Sequence, residues 1–345
     1  MKIITAARYI DQPVILSSLH AKMPAALCTV GAGVWGYETF CKQKDSKHKK
    51  QRAFKNAVTI GSTVAASLIG AKGLKIGGKK IFSGLMEVKP AKEVLKNQAE
   101  AINEYISKSK DKNSSFNITL ENAKNRKFTL KEIETIFKKL PKTEEGKELL
   151  HKILPEPENL NSKEIFSEIG RLSTIGFIPV AGGVAGGLAA DALTGTQNKK
   201  STANKVKEGV YQYLANIFLC NVGAGAALFT AESLVKGKFI KPLTPVKKLV
   251  VILSGITATG IVGGSLIANY LSKKFIDPIF GQKHKKHEKI YSERKPEPLD
   301  IALHADDIAT AGVLSGFKWI EPALPIMYFI SGYRAGIGYR NNHHK

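Results

Sequence analysis

Uncharged stretches alternate along the chain with polar, lysine-rich ones. Runs without Asp, Glu, Lys or Arg cover residues 23–37, 56–71, 172–190, 209–231 and 249–272, and the last three are 19, 23 and 24 residues long. At 1.5 Å per helical residue those three reach about 28 to 36 Å, which brackets a hydrocarbon core of about 30 Å, so each predicts a membrane-spanning helix. The first two, at 15 and 16 residues, are short. They span only if flanking lysines snorkel or the pair folds as a re-entrant hairpin. A sixth apolar region, 308–339, is interrupted by Lys318-Trp319-Ile320-Glu321-Pro322-Ala323-Leu324-Pro325.

Glycine is concentrated in the same regions. Residues 24–40, 57–74, 172–190, 209–230, 249–272 and 308–339 together hold 23 of the 31 glycines. Each glycine in a soluble helix costs about 1 kcal/mol relative to alanine, whereas in lipid small residues let helix backbones approach and pack. Gly182 with Gly186, Gly183 with Gly187, and Gly260 with Gly264 repeat at four-residue spacing and are the expected packing faces; Gly332 with Gly336 repeats it again. A phosphate loop is a poor reading of the same glycines, since no Lys-Ser/Thr follows them and no strand pattern precedes them.

Residues 85–168 are different in kind. They carry 16 basic and 15 acidic residues and one glycine, Gly146. Thr129 with Glu132 has the form of a capping box, and Leu130, Ile133, Phe137 and Leu140 follow on one face until Pro141. Asn161 with Glu164 resembles that arrangement, residues 91–106 read as a further helix and 108–117 as a loop. The stretch predicts a small soluble helical insert. Two sequons, at Asn113 and Asn117, are read as chance occurrences in a polar segment.

The chain of 345 residues has 52 Lys and Arg against 29 Asp and Glu, a formal charge of +23. Only seven of the basic residues are Arg, and the insert accounts for +1 of the charge. The rest lies beside the apolar runs as membrane flanks do. That argues against a soluble nucleic-acid binder, whose phosphate and base contacts favour the guanidinium fork. Under six spans the two faces carry 19 and 16 basic residues, leaving out the insert, so charge leaves the orientation open. Residues 1–22 contain Asp11, Gln12, Ser17, Ser18 and His20 and no continuous apolar core of a cleavable signal. Three scattered cysteines, Cys28, Cys41 and Cys220, predict neither a disulfide framework nor a structural zinc.

Candidate chemistry is sparse. Lys318 and Glu321, at i,i+3 in the broken last segment, would lie mid-bilayer if the segment spans and would then face a cavity or path; alternatively they sit with Trp319 at headgroup level. Asn216 and Asn221 are polar positions within an apolar run, expected to bond between helices or to meet a substrate, as are Cys220 and Asn269. Asp300, His304 and Asp307 share a helical face and are a weak metal candidate, better explained as an acidic helix start after Pro298. No hydrolase, metalloprotease, P-loop or dinucleotide motif anchors an enzyme reading, and no cofactor is expected.

The expected fold class is all-α: a polytopic helical membrane protein with Gly-rich packing helices and a small soluble helical insert. Its parts are an N-terminal amphipathic segment (1–23), a membrane hairpin with a basic loop (24–80), the insert (81–168) and the main membrane region (169–345). The bilayer is the expected surrounding, with a further copy or another protein meeting residues 85–168. Two functions compete: a transport or channel-like protein with a broken C-terminal segment, and a membrane-organising protein whose insert recruits a partner.

Overall fold

The computed structural model describes residues 8–41, 48–110, 112–155, 162–280, 305–314 and 318–339. It is mostly helical, with one two-stranded sheet among the described residues. In chain order the elements are α1 (Pro13–Gly36), α2 (Lys49–Lys72), β1 (Gly73–Ile76), β2 (Lys79–Ser83), α3 (Ala91–Lys108), α4 (Ser115–Ala123), α5 (Leu130–Lys139), α6 (Glu144–Ile153) and α7 (Ser162–Leu193). The chain continues with α8 (Lys199–Tyr213), α9 (Leu219–Lys236), α10 (Pro245–Ile256), α11 (Ser265–Leu271), α12 (Asp277–Ile279), α13 (Ala305–Leu314) and α14 (Leu324–Ile337). Widened π turns at Leu214–Phe218, Thr257–Gly264 and Ser272–Ile276 join α8 to α9, α10 to α11 and α11 to α12 without a break in the helical rod.

Among the described residues four helical rods are long and apolar enough to cross a membrane: Pro13–Cys41, Glu164–Leu193, Lys199–Lys236 and Lys247–Ile279. The run at 23–37 reaches spanning length because Pro13, at a first helical position, opens a helix that continues through the apolar stretch and past Pro24. Helix α2 carries Lys49, Lys50, Arg52 and Lys55 in its first two turns and does not meet that standard. The last region is divided into α13, a 3₁₀ turn at Lys318–Ala323 and α14.

The described chain divides into two compact units. The first takes in the insert with the described parts of Met1–Pro24, Met86–Asn159 and Gly316–Pro322. Its centre is an apolar core of Ile102 on α3, Phe116 and Leu120 on α4, Ile133 and Ile136 on α5, and Leu149 and Ile153 on α6, with Phe128 between α4 and α5. The capping box is present: Thr129 Oγ1 accepts from Glu132 N while Glu132 returns to Thr129 N at 2.7 Å. Leu130, expected on the core face, is 50% exposed at the first helical position, and Ile136 is buried on that face. Asn117 is buried in α4 and bonds to Ser109 Oγ at 3.1 Å, so the second sequon is closed to a glycosylating enzyme.

Segments far away in sequence complete this unit. Gln12 behaves like a strand residue: its Nε2 donates to Phe128 O at 3.0 Å, and Phe128 N donates to its Oε1 at 2.7 Å. Asp11 Oδ1 accepts from Trp319 N at 3.2 Å, and Glu321 Oε1 accepts from Met86 N at 2.8 Å.

The second unit is the helical bundle, built from Ala25–Leu85, the described part of Leu160–Ser315, and the described part of Ala323–Lys345. At its centre α7 runs antiparallel to α2 and parallel to α14. A methyl group at Gly182 would run into Ala66, and one at Gly186 into Ser62, both on α2. Methyls at Gly183 and Gly187 would run into the carbonyls of Gly332 and Gly336 on α14. Such close backbones gain dispersion and Cα–H···O contacts that larger residues would forfeit.

Candidate functional site

The bundle buries charge. Asp191, Lys205, Lys207, Glu208, Asp277 and Arg334 are each 4% exposed or less. Five of the six belong to rods long and apolar enough to cross a membrane. A five-residue turn, 194–198, folds α8 back along α7 and brings Asp191, near the end of one, beside Lys205, near the start of the other.

Asp191 is the centre of this cluster. Lys205 Nζ lies 2.5 Å from its Oδ2, Ser201 Oγ donates to the same oxygen at 2.6 Å, and Lys55 on α2 pairs with Oδ1. Lys205 also donates to Ser201 Oγ at 2.7 Å. Two residues along, Lys207 pairs with Asp277 at the start of α12, again with both side chains buried. Buried pairs of this kind repay their desolvation only when further hydrogen bonds satisfy them, and the Asp191 carboxylate has four donors, Thr196 Oγ1 reaching Oδ1 at 3.4 Å.

From this end a polar lane climbs the third of the long rods, Lys199–Lys236. Glu208, Gln212 and Asn216 are buried and spaced four apart, so they stack on one helical face. Gln212 Nε2 donates to Glu208 Oε1 at 2.8 Å, and Asn216 Nδ2 donates to Gln212 Oε1 at 2.9 Å. Beside the lane Tyr211 OH and Ser265 Oγ are 3.0 Å apart. The π turn at Leu214–Phe218 then shifts the face by one residue. It frees the Ala215 carbonyl, which accepts from Cys220 Sγ at 3.1 Å, and the next amide, Asn221 Nδ2, donates to Ser173 Oγ on α7 at 3.0 Å.

Gly260 and Gly264 lie where the neighbouring rod passes this turn. A side chain at Gly260 would strike Cys220 Sγ, and one at Gly264 would crowd Ala215. Higher up, Thr259 Oγ1 donates to Leu219 O at 2.9 Å and to Gly255 O at 2.8 Å. Both rods widen where they face each other, and π turns of this kind recur at functional positions.

Of the residues singled out from the sequence, Asn216 and Asn221 lie in or just beyond this lane. Gly182, Gly183, Gly186, Gly187, Gly260 and Gly264 hold helices against one another. Lys318 and Glu321 are on the 3₁₀ turn within the insert's unit, where the buried Glu321 holds the Met86 amide. Asp300 and His304 fall outside the described residues, as does the side chain of Asp307, and no group of three metal-ligating side chains occurs among the described residues.

Sequence reasoning passed over Asp191, Lys205, Lys207, Glu208 and Asp277 because each uncharged run was ended at its first charge. Asp191 immediately follows the run at 172–190 and Glu208 immediately precedes the run at 209–231. The usable signal is the short turn between two long apolar helices, which brings charges on either side of it to the same level. No protein-family model, no curated protein and no solved structure matches the chain.

Proposed function

We propose that the chain is a multi-pass membrane protein with transport or channel-like activity toward protons or small monovalent cations, and that the Glu208–Gln212–Asn216 lane is its path. The observation that carries this reading is a buried carboxylate continued by two amides on one face of a long apolar rod. Ionisable and amide groups are expensive inside a bilayer and are kept there for ion or proton pathways. The glycine faces are filled by neighbouring helices, so they are the frame of the path rather than its lining.

Purified full-length protein in liposomes provides the test, with proton and potassium fluxes measured under an imposed gradient. The Glu208→Gln variant is expected to reconstitute and resist carbonate extraction like the parent while its flux falls at least tenfold. Equal flux in the two, or none above empty liposomes in the parent, sinks the proposal.

A second reading draws on another observation. Because the glycine faces are spent inside the chain and the insert has its own apolar core, the bundle can serve as an anchor and the insert as a recruiting surface. Under that reading, removing residues 86–155 abolishes partner recovery, and Glu208→Gln has no effect on it.

A further inference from the structure

The β1–β2 hairpin carries a feature that neither transport nor helix packing uses. Its turn is Gly77-Gly78, with φ of +55° and +78°, the pair of left-handed residues that a tight two-residue hairpin needs. Register places Lys75 directly opposite Lys80 and Ile76 opposite Lys79. Like charges facing each other across a ladder are destabilising, and a lone two-stranded hairpin is marginal in water. Among the described residues no carboxylate pairs with Lys75, Lys79 or Lys80. The tip is also apolar: Ile76 is 61% and Ile81 58% exposed.

The root, in contrast, is held firmly. Leu85 N donates to Ala71 O at 2.8 Å, Gly84 is so close to the Ala71 carbonyl that no side chain fits, and Leu74 and Phe82 are partly buried. Arg171 Nη1 donates to Gly84 O at 2.8 Å while its Nε and Nη2 hold Glu168. Arg171 is the residue before the uncharged run at 172–190, so the hairpin is rooted at the level where α7 passes from polar to apolar surroundings. In a bilayer that level is the headgroup layer.

We propose that this hairpin binds anionic phospholipid headgroups, with Lys75, Lys79 and Lys80 meeting the phosphates and Ile76 and Ile81 entering the boundary of the acyl chains. An anionic lipid relieves the Lys75–Lys80 opposition and covers the exposed isoleucines in one step, which a soluble anion does not do. The inference rests on insertion of the bundle into a bilayer, though not on transport.

The test uses the full chain in lipid nanodiscs of phosphatidylcholine, with or without phosphatidylglycerol. Ile81→Cys receives an environment-sensitive dye in a background in which the exposed Cys28 and Cys41 are serine; Cys220 is buried. In discs containing phosphatidylglycerol the emission is expected to shift to the blue and to be quenched by brominated lipid. Each lysine near an anionic surface is worth roughly fivefold in partitioning, so the Lys75→Gln, Lys79→Gln, Lys80→Gln triple variant should lose on the order of 100-fold and with it the shift.

An equal shift in phosphatidylcholine alone, persistence of the shift in the triple variant, or its reproduction by inorganic phosphate overturns the proposal. Absence of the protein from the disc fraction overturns the membrane reading and the hairpin proposal together. Protein that is present in the discs but shows no shift overturns the hairpin proposal alone.

Discussion

The insert's unit and the helical bundle are held together by opposite means. In the insert, short amphipathic helices bury Ile102, Leu120, Ile133, Ile136 and Ile153 in a side-chain core and leave their lysines and glutamates to solvent. In the bundle helix backbones pack directly on one another, as at Gly183 with Gly332, and several charged and amide groups are buried inside. If the bundle is a membrane domain, as proposed above, its surroundings make the difference. Where water surrounds a helix, burying apolar side chains supplies the stability; where lipid surrounds it, apolar burial gains little, and packing and internal polar bonds take over.

The sharpest way to break that comparison is to remove one buried charge. Asp191→Asn leaves Lys205 and Lys55 without their carboxylate, and losing one member of a buried pair costs about 3–5 kcal/mol. In detergent-solubilised protein, hydrogen exchange should show α7 and α8 losing protection while α3 to α6 keep theirs. Equal loss in both regions, or none in α7 and α8, would mean the two units do not draw their stability from separate sources.

A second pair of substitutions exchanges the two kinds of packing. Ile133→Ala empties a site in the insert's core and is expected to cost about 3 kcal/mol, read as lost protection in α3 to α6. Gly183→Ala adds a single methyl against the Gly332 carbonyl and should cost about 2 kcal/mol in the bundle, since α7 and α14 must separate. Gly33→Ala on α1 is the control: nothing lies within 4 Å of the added carbon, so the same change should be neutral or stabilise by up to about 1 kcal/mol. If Gly33→Ala and Gly183→Ala behave alike, close backbone approach is not what holds the bundle.

How much of this was legible follows from the same contrast. Capping residues and periodicity are local, so the insert's helices could be read from Thr129, Glu132 and the isoleucines. The long apolar runs and the glycine spacing are legible too, because helix length and the smallness of packed residues are written directly in the sequence. Two things were not. The role of Glu321 depends on a partner at Met86, 235 residues away, which no spacing rule supplies. The charges of the bundle looked like ordinary flanks because a run of uncharged residues ends wherever a charge begins, whether that charge is solvated or paired inside.

The mildest prediction concerns pH and divides the insert's unit itself. Burial pushes the Asp11 carboxyl up to about 6, against the opposing pull of the Trp319 amide, Arg8 and Lys318. Its folded pKa exceeds the unfolded value, so the ionised form is the one folding disfavours, and this group makes the unit more stable as pH falls from about 7 toward 4. Glu132 acts in the other direction: the Arg126 guanidinium and the Thr129 amide hold its carboxyl down near 2, so its contribution is present above the unfolded value of 4.5 and is lost as pH falls toward 2. Solvent exposure of Arg126 limits that contribution to about 1 kcal/mol, while the half-buried Asp11 is worth roughly 2 kcal/mol. Protection of α3 to α6 should therefore rise on acidification to about pH 4 and fall below it. Asp11→Asn should abolish the rise and keep the fall, and Glu132→Gln the reverse. A rise that survives Asp11→Asn would place its origin elsewhere in the unit and remove the Asp11–Trp319 contact as the tie between its terminal segments.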